Sequence, residues 1–513
     1  MLSGPQGSRT DRACRRLRLS RGGPMLSIAA ILLSLVLLMV LAYRGISVLI
    51  LAPAMALLAV LLSPGAPLLA SYTQVFMTGL GNFVALFFPL FLLGAIFGKL
   101  MEDSGAARVI AQRIVQWLGS RRAVLAIVLA CAVLTYGGVS LFVVAFAVYP
   151  IAVELFRAVD VPKRLIPGTI ALGAFTFTMT ALPGTPAIQN AIPMPYFGTT
   201  PFAAPGLGLI AGVVMLGLGA AWLLWRARRA SIAGEGYGHA PDAPDASAAV
   251  PRNVRPHAQG KGHDIAELGH VGGVAPPAHL PGFGQAIAPI VAVVVLNWLF
   301  SVQLLPRIDT GYLASPLYGA TRLETVRGTW AIIAALTLSN LLLVLLAHRS
   351  LATLKATLDA GASAAVLPIF NTASQVGYGA VIASLAGFAL IRDAVLGIAP
   401  GNPLISLSIA VNLLAGITGS ASGGMSIALQ TLGDTYLEMG RAAGIAPDLL
   451  HRVTAIATGG LDALPHNGAV ITLLAICNLT HRQSYLDILV VAVLSPLAAL
   501  ALVVTLGTVF GSF

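Results

Sequence analysis

The sequence predicts an all-α polytopic membrane protein: two inverted repeats of about five transmembrane helices, each repeat carrying a re-entrant helical hairpin and a broken helix. Three observations lead there. The 513 residues are 57% hydrophobic and only 10% charged, with a mean hydropathy of +0.88, far outside the range of water-soluble globular chains. Apolar runs near the length that crosses hydrocarbon recur at 26–43, 46–62, 76–98, 165–180, 206–225, 283–304, 329–347, 453–478 and 485–510. Finally, Ala-Leu-Pro followed by a polar knot occurs twice inside apolar sequence, ALPGTPAIQN at 181–190 and ALPHNGAVIT at 463–472. Proline removes a backbone donor and clashes with the preceding turn, so each copy reads as a helix broken at membrane depth.

In chain order, residues 1–24 form a basic tail with six Arg and no apolar core. Met25 stands directly before the first apolar run, so the tail reads as an upstream mis-assigned start. A signal peptide is the competing reading, but 26–43 has no small-residue cleavage site and runs into a second span. Residues 25–227 form the first repeat. Within it, 122–156 has two arms of about a dozen apolar residues around a Gly-Gly tip, so it reads as a hairpin that enters and leaves on one face. Residues 228–282, rich in Pro, Gly, Ala and His without periodicity, read as a flexible cytoplasmic linker. Its histidines His239, His257, His263 and His270 lack the paired spacing of metal ligands. Residues 283–513 form the second repeat, with 404–432 as its hairpin.

Three landmarks recur in the same order in both halves. FPLF (88–91) matches LPIF (367–370), TYGGVS (135–140) matches TGSASGG (418–424), and then the proline knots follow. The tip threonine and the knot proline are 48 residues apart in the first half and 47 in the second. Five crossings per half is an odd number, so the second repeat begins on the opposite face and is inverted. Charge agrees with that arrangement when the linker is cytoplasmic. Eighteen Lys and Arg fall on inner segments, Lys99, Arg164 and Arg226 among them, against six outside: Arg307, Arg322, Arg327, Arg392, Arg441 and Arg452. The six Arg of the tail disagree, a second reason to doubt residues 1–24 as translated.

Several function classes are excluded by pattern. The net charge of +11 is spread between spans, with no basic stripe interleaved with aromatics, so it points to membrane topology and not to nucleic acid. Cys14, Cys131 and Cys477 show no CxxC or metal spacing. An intramembrane enzyme needs a nucleophile–base pair or a metal set such as HExxH, and His466 with Ser420 is the only arguable pairing. A channel is a poorer fit than a transporter, since broken helices in inverted repeats suit alternating access. No metal or other cofactor is expected.

Irregular backbone survives at membrane depth only where protein or a watery cavity satisfies it, so the two tips and two knots should converge on one cavity. Half-helix N-termini there offer N–H groups to an anion, and unwound carbonyls and hydroxyls hold a cation or water. The candidate substrate-binding residues are Thr135, Gly137, Gly138 and Ser140 at the first tip, and Gly184, Thr185, Gln189 and Asn190 at the first knot, which Thr180 precedes. Asn371 and Thr372, with Ser374 and Gln375, form a polar cluster after Pro368. Ser420, Ser422, Gly423 and Gly424 follow Thr418 at the second tip, and His466 and Asn467 lie at the second knot. Gly, Ser and Thr in membrane helices equally mark close packing, with hydroxyls bonded to their own backbone. Asp462 and His466 are the proton-coupling candidates. A carboxylate behind the apolar run VTAIATGGL is either a proton or cation site, or a cap for a half-helix beginning near Pro465. His466 either shares the proton or donates to substrate. No Arg or Lys lies within the broken segments themselves, so anion binding is expected to rely on helix ends, amides and hydroxyls.

Through LPIFNTASQVGYG, TGSASGG and GGLDALPHNGAVITLL, the chain resembles the gluconate permease family of the ion transporter superfamily, from Met25 to the end excluding the linker. The resemblance implies a multi-pass protein of the bacterial inner membrane. It would be a proton symporter of gluconate or related hydroxycarboxylates, with a hairpin-bearing domain that moves against a scaffold, and a homodimer by analogy. Sugar-acid members carry a His-x-Asn-Asp-type sequence at the second break, whereas this chain has Pro465, His466, Asn467 and Gly468. His466 and Asn467 carry over and the following acid does not, which sets 3-hydroxybutyrate and citrate beside gluconate. A sodium-coupled carboxylate transporter is the alternative, since the hydroxyl-rich tips permit sodium.

Overall fold

Where lipid offers no hydrogen bonds, a chain this apolar must satisfy its backbone internally, and helices do so within one segment. The computed structural model describes residues 22–44, 46–238, 279–351, 353–399, 401–465 and 467–513, and every regular element among them is helical. The tail through residue 21, Cys14 included, lies outside the described residues, as do most of the linker with its four histidines, and His466. The first half runs α1 (Gly22–Tyr43), α2 (Val48–Leu62), α3 (Leu68–Asp103), α4 (Ala106–Leu118), α5 (Ala123–Tyr136), α6 (Leu141–Ala158), α7 (Ile166–Ala174) and α8 (Pro205–Ile232). The second runs α9 (Phe283–Arg307), α10 (Leu323–Ala347), α11 (Leu354–Ser384), α12 (Phe388–Leu396), α13 (Pro403–Thr418), α14 (Ala421–Ala442), α15 (Pro447–Leu461), α16 (Gly468–Ile476) and α17 (His481–Phe510).

By length and composition, seven of these helices can cross a membrane: α1, α3, α6, α8, α9, α10 and α17. The number rises to nine if the sharply bent pairs α4–α5 and α11–α12 each count as one span. The broken runs fall short because the chain leaves the helix. α7 stops at Ala174, earlier than the apolar run to residue 180 suggests. Thr176 and Thr178 donate their hydroxyls to the Leu172 and Gly173 carbonyls at 2.6 and 2.9 Å, competing with further helical bonds. The run 453–478 divides into α15 and α16 around Pro465.

The hairpin arms also differ from their apolar runs. They are 14 and 18 residues long in α5 and α6, and 16 and 22 in α13 and α14, longer than the dozen or so expected. Less apolar sequence such as DTYLEMGRA continues the helix beyond the run. Likewise α8 continues to Ile232, and residues after it fold back. Arg164 pairs with Glu235 at 2.5 Å, and the Tyr237 amide donates to Asp160 at 2.8 Å. Beside them the buried Asp487 of α17 accepts from Arg226 and Trp222 of α8 at 2.9 and 3.0 Å.

α3 and α11, each with a proline inside it, pack against each other and run antiparallel. Gly79 lies against Gly377 and Ala380, Gly361 against Ile96, and Thr357 donates to Asp103 at 2.7 Å. Pro89 and Pro368 therefore sit near the centre of the contact. Of the charges counted above, Lys99 lies within α3, and Arg452 is fully buried in α15.

Candidate functional site

α5 is uniformly apolar through Leu134 and ends at Tyr136, where Gly137 and Gly138 turn the chain. Gly138 has φ +92°, a conformation that favours glycine. Ser140 then begins α6, yet no side chain caps this helix. Its free first-turn N–H groups and positive dipole end belong to residues 141–143. Ser140 through Val143 border a cavity of about 230 Å³. The remaining walls come from Leu90–Glu102 of α3, from Met179 and Pro186–Gln189 of the first break, and from Ala365, Pro368 and Ser422. The Tyr136 hydroxyl donates to Pro183 O at 2.7 Å, fixing the first tip to the first break.

A smaller chamber shares Leu141, Met179 and Gln189 with this cavity and adds Thr180, Asp462 and Asn467. Tips and breaks of both halves thus meet around two adjoining chambers. The second tip is tied to the second break by Asn467, whose Nδ2 donates to Gly419 O at 2.9 Å. Asn467 Oδ1 accepts from the Ala469 and Val470 amides at 2.6 and 3.3 Å and caps α16. Asp462 closes α15, half-buried beside the small chamber. At α14, Ser420 caps the helix by accepting from Gly423 N at 3.2 Å, and Ser422 lies 3.4 Å from Ser420 and 3.3 Å from Thr372.

Of the candidate residues, Thr135, Gly138, Ser140, Gln189 and Ser422 line the large cavity, and Asp462 and Asn467 the small one. Thr135 Oγ1 and Gln189 Oε1 are buried with no hydrogen-bond partner among the described residues. Several of the others do packing work. A Cβ on Gly137 would meet Ile290 at 2.6 Å, and one on Gly184 would meet Phe202 at 2.6 Å. Gly423 is covered by the Gln375 amide, and Gly424 by the backbone of Ala415. Thr185 accepts from the Ala187 amide and Thr372 donates to Pro368 O, both local bonds. Asn371 is buried in α11 away from both chambers.

Asn190 is a structural tie. Its Nδ2 donates to Thr185 O and Pro201 O, and its Oδ1 accepts from Arg452 Nη1 at 3.1 Å and faces His451 Nε2 at 3.2 Å. Arg452 further donates to the carbonyls of Thr180, Pro201 and Ala203. A cation from α15 therefore satisfies the carbonyls of the first break. Lys99 and Glu102 line the large cavity from α3. Lys99 thus reaches the cavity from a helix outside the broken segments, a charge that the expectation of hydroxyls, amides and helix ends alone left out. The signal available for the second pair was FGKLMED, where Lys99 stands three and four residues before the two acids at a helix end.

Residues 24–221 match the model of the GntP family permeases. Over 478 residues, covering 92% of this chain and 97% of the other protein, the sequence is 43% identical to YxjC of Bacillus subtilis (strain 168), described as an uncharacterized transporter.

Proposed function

The chain belongs to the GntP permease family, and from that premise we propose that it is a proton symporter of small organic anions in the bacterial inner membrane. Gluconate or a shorter hydroxycarboxylate such as 3-hydroxybutyrate is the cargo. The observation that carries this reading is the convergence of both tips and both breaks on two adjoining chambers, at the uncapped N-terminus of α6. A volume of about 230 Å³ is smaller than the roughly 300–1,000 Å³ of drug-sized pockets and suits a small metabolite. N–H groups of α6 receive the carboxylate, and Thr135, Ser140, Gln189 and Ser422 meet the substrate's hydroxyls.

The two halves are inverted repeats with a pseudo-two-fold axis in the membrane plane, passing between Pro89 and Pro368. The antiparallel packing of α3 and α11 supports this, because repeats related by an axis along the membrane normal would set equivalent helices parallel. α5–α6 and α13–α14 are the re-entrant hairpins, with tips at the depth of the cavity. Asp462, at the adjoining small chamber, carries the coupling proton together with His466. A carboxylate there is costly when charged, so protonation and substrate occupancy favour each other.

Uptake of labelled gluconate, 3-hydroxybutyrate and citrate into proteoliposomes, in sodium-free buffer with an inward proton gradient, tests the proposal. Gradient-driven accumulation of one acid is the expected result. Accumulation only when sodium is supplied, or none at all, would overturn it.

A further inference from the structure

The large cavity holds a charge cluster that the tips and breaks do not account for. Lys99 and Glu102 are the one cation and the one carboxylate among its described lining residues. Lys99 Nζ lies 2.9 Å from Asp103 Oδ1 and 3.2 Å from Glu102 Oε2. The two acids are not equivalent. Asp103 accepts from Thr357 of α11 at 2.7 Å and is 10% exposed, whereas Glu102 is 33% exposed and borders the cavity. Glu102 is thus the partner with room to swing away.

The cluster also stands where an anion would arrive. Gly98, directly before Lys99, packs against the Ser140 backbone at the open end of α6. Thr135 Oγ1 and Gln189 Oε1, on residues more than nine-tenths buried, line the same space with no hydrogen-bond partner among the described residues. A carboxylate leaving water for such a space needs a counter-charge or several donors. An ammonium has three donors, and here one is directed at Glu102 while Asp103 lies within ion-pair distance.

We propose that Lys99 binds the carboxylate of the transported anion, and that Glu102 is a built-in competitor that yields the ammonium to it. This rests on the organic-anion reading above. Asp103 stays in place as the fixed counter-charge that holds Lys99 toward the cavity. The neighbouring elements leave the exchange undisturbed. α11 presents Thr357 flanked by the exposed Lys355 and Asp359, α4 presents the exposed Arg108 and Arg113, and the hairpin and break present Thr135, Ser140 and Gln189. Among the described residues, only Glu102 and Asp103 lie within ion-pair distance of Lys99.

The test is calorimetric titration of the purified full-length protein with gluconate, 3-hydroxybutyrate, citrate and the neutral butane-1,3-diol. Wild type is expected to bind at least one acid and not the diol. Lys99→Gln should weaken that acid by about tenfold or more, as for loss of one charge-assisted hydrogen bond, and Lys99→Arg should retain part of the affinity. Glu102→Gln should bind the acid more tightly, a gain that misfolding cannot produce. Unchanged affinity in Lys99→Gln, or weaker binding in Glu102→Gln, would overturn the Lys99 assignment and leave the transporter reading standing. A wild-type protein that binds none of the acids would overturn both.

Discussion

Asn467 shows how little of a polar residue's work can be seen without its neighbours. Its carbonyl oxygen caps α16 and its amide holds the Gly419 carbonyl of the second tip, so one side chain joins break to tip. Asn467→Ala is expected to lower stability by about 1–2 kcal/mol through loss of the cap. Asn467→Asp, which keeps the acceptor, should recover most of that loss. Thermal unfolding in detergent distinguishes the two; equal losses would show that the cap contributes little. The sequence placed Asn467 in the site by its position beside Pro465, and the geometry gives its amide a structural task. Arg452 was illegible for the opposite reason. Nothing in VTAIATGGL or its flank announces that a guanidinium from the start of α15 will meet carbonyls more than 240 residues earlier in the chain.

At the scale of elements, Ala-Leu-Pro followed by a polar knot was readable as a break. The chain leaves helix around Pro183 and Pro465, whereas Pro89 and Pro368 stay inside α3 and α11. Helix ends were less readable, as the early stop of α7 and the continuation of α14 show. The contact between α11 and α14 is a sharper case. Gln375, only 2% exposed, lies over the Cα of Gly423 where no Cβ fits. Gly423→Ala is expected to displace Gln375 and cost about 1–3 kcal/mol by overpacking, and Gln375→Ala in the same chain should restore much of it. Additive losses in the double variant, measured by thermal unfolding, would contradict this coupling.

At the scale of the whole molecule, the antiparallel pair α3 and α11 supports an inverted duplication that three short motifs had already suggested. Topology is the consequence to check. With Cys14 replaced, Leu317→Cys between α9 and α10 should react with an impermeant thiol reagent from outside the cell, and Ala233→Cys after α8 only from inside. Labelling of both from one face would contradict the crossing of α9 on which the inverted topology depends, since it would place the two ends of α9 on the same side. The central claim is that a proton travels with the organic anion, and the most direct measurement is the external pH of a weakly buffered, sodium-free proteoliposome suspension during uptake of the accepted acid. The account predicts alkalinisation in proportion to uptake, absent in empty liposomes and abolished by Asp462→Asn while counterflow exchange of the acid persists. Uptake with no pH change, or alkalinisation that Asp462→Asn leaves intact, would contradict it.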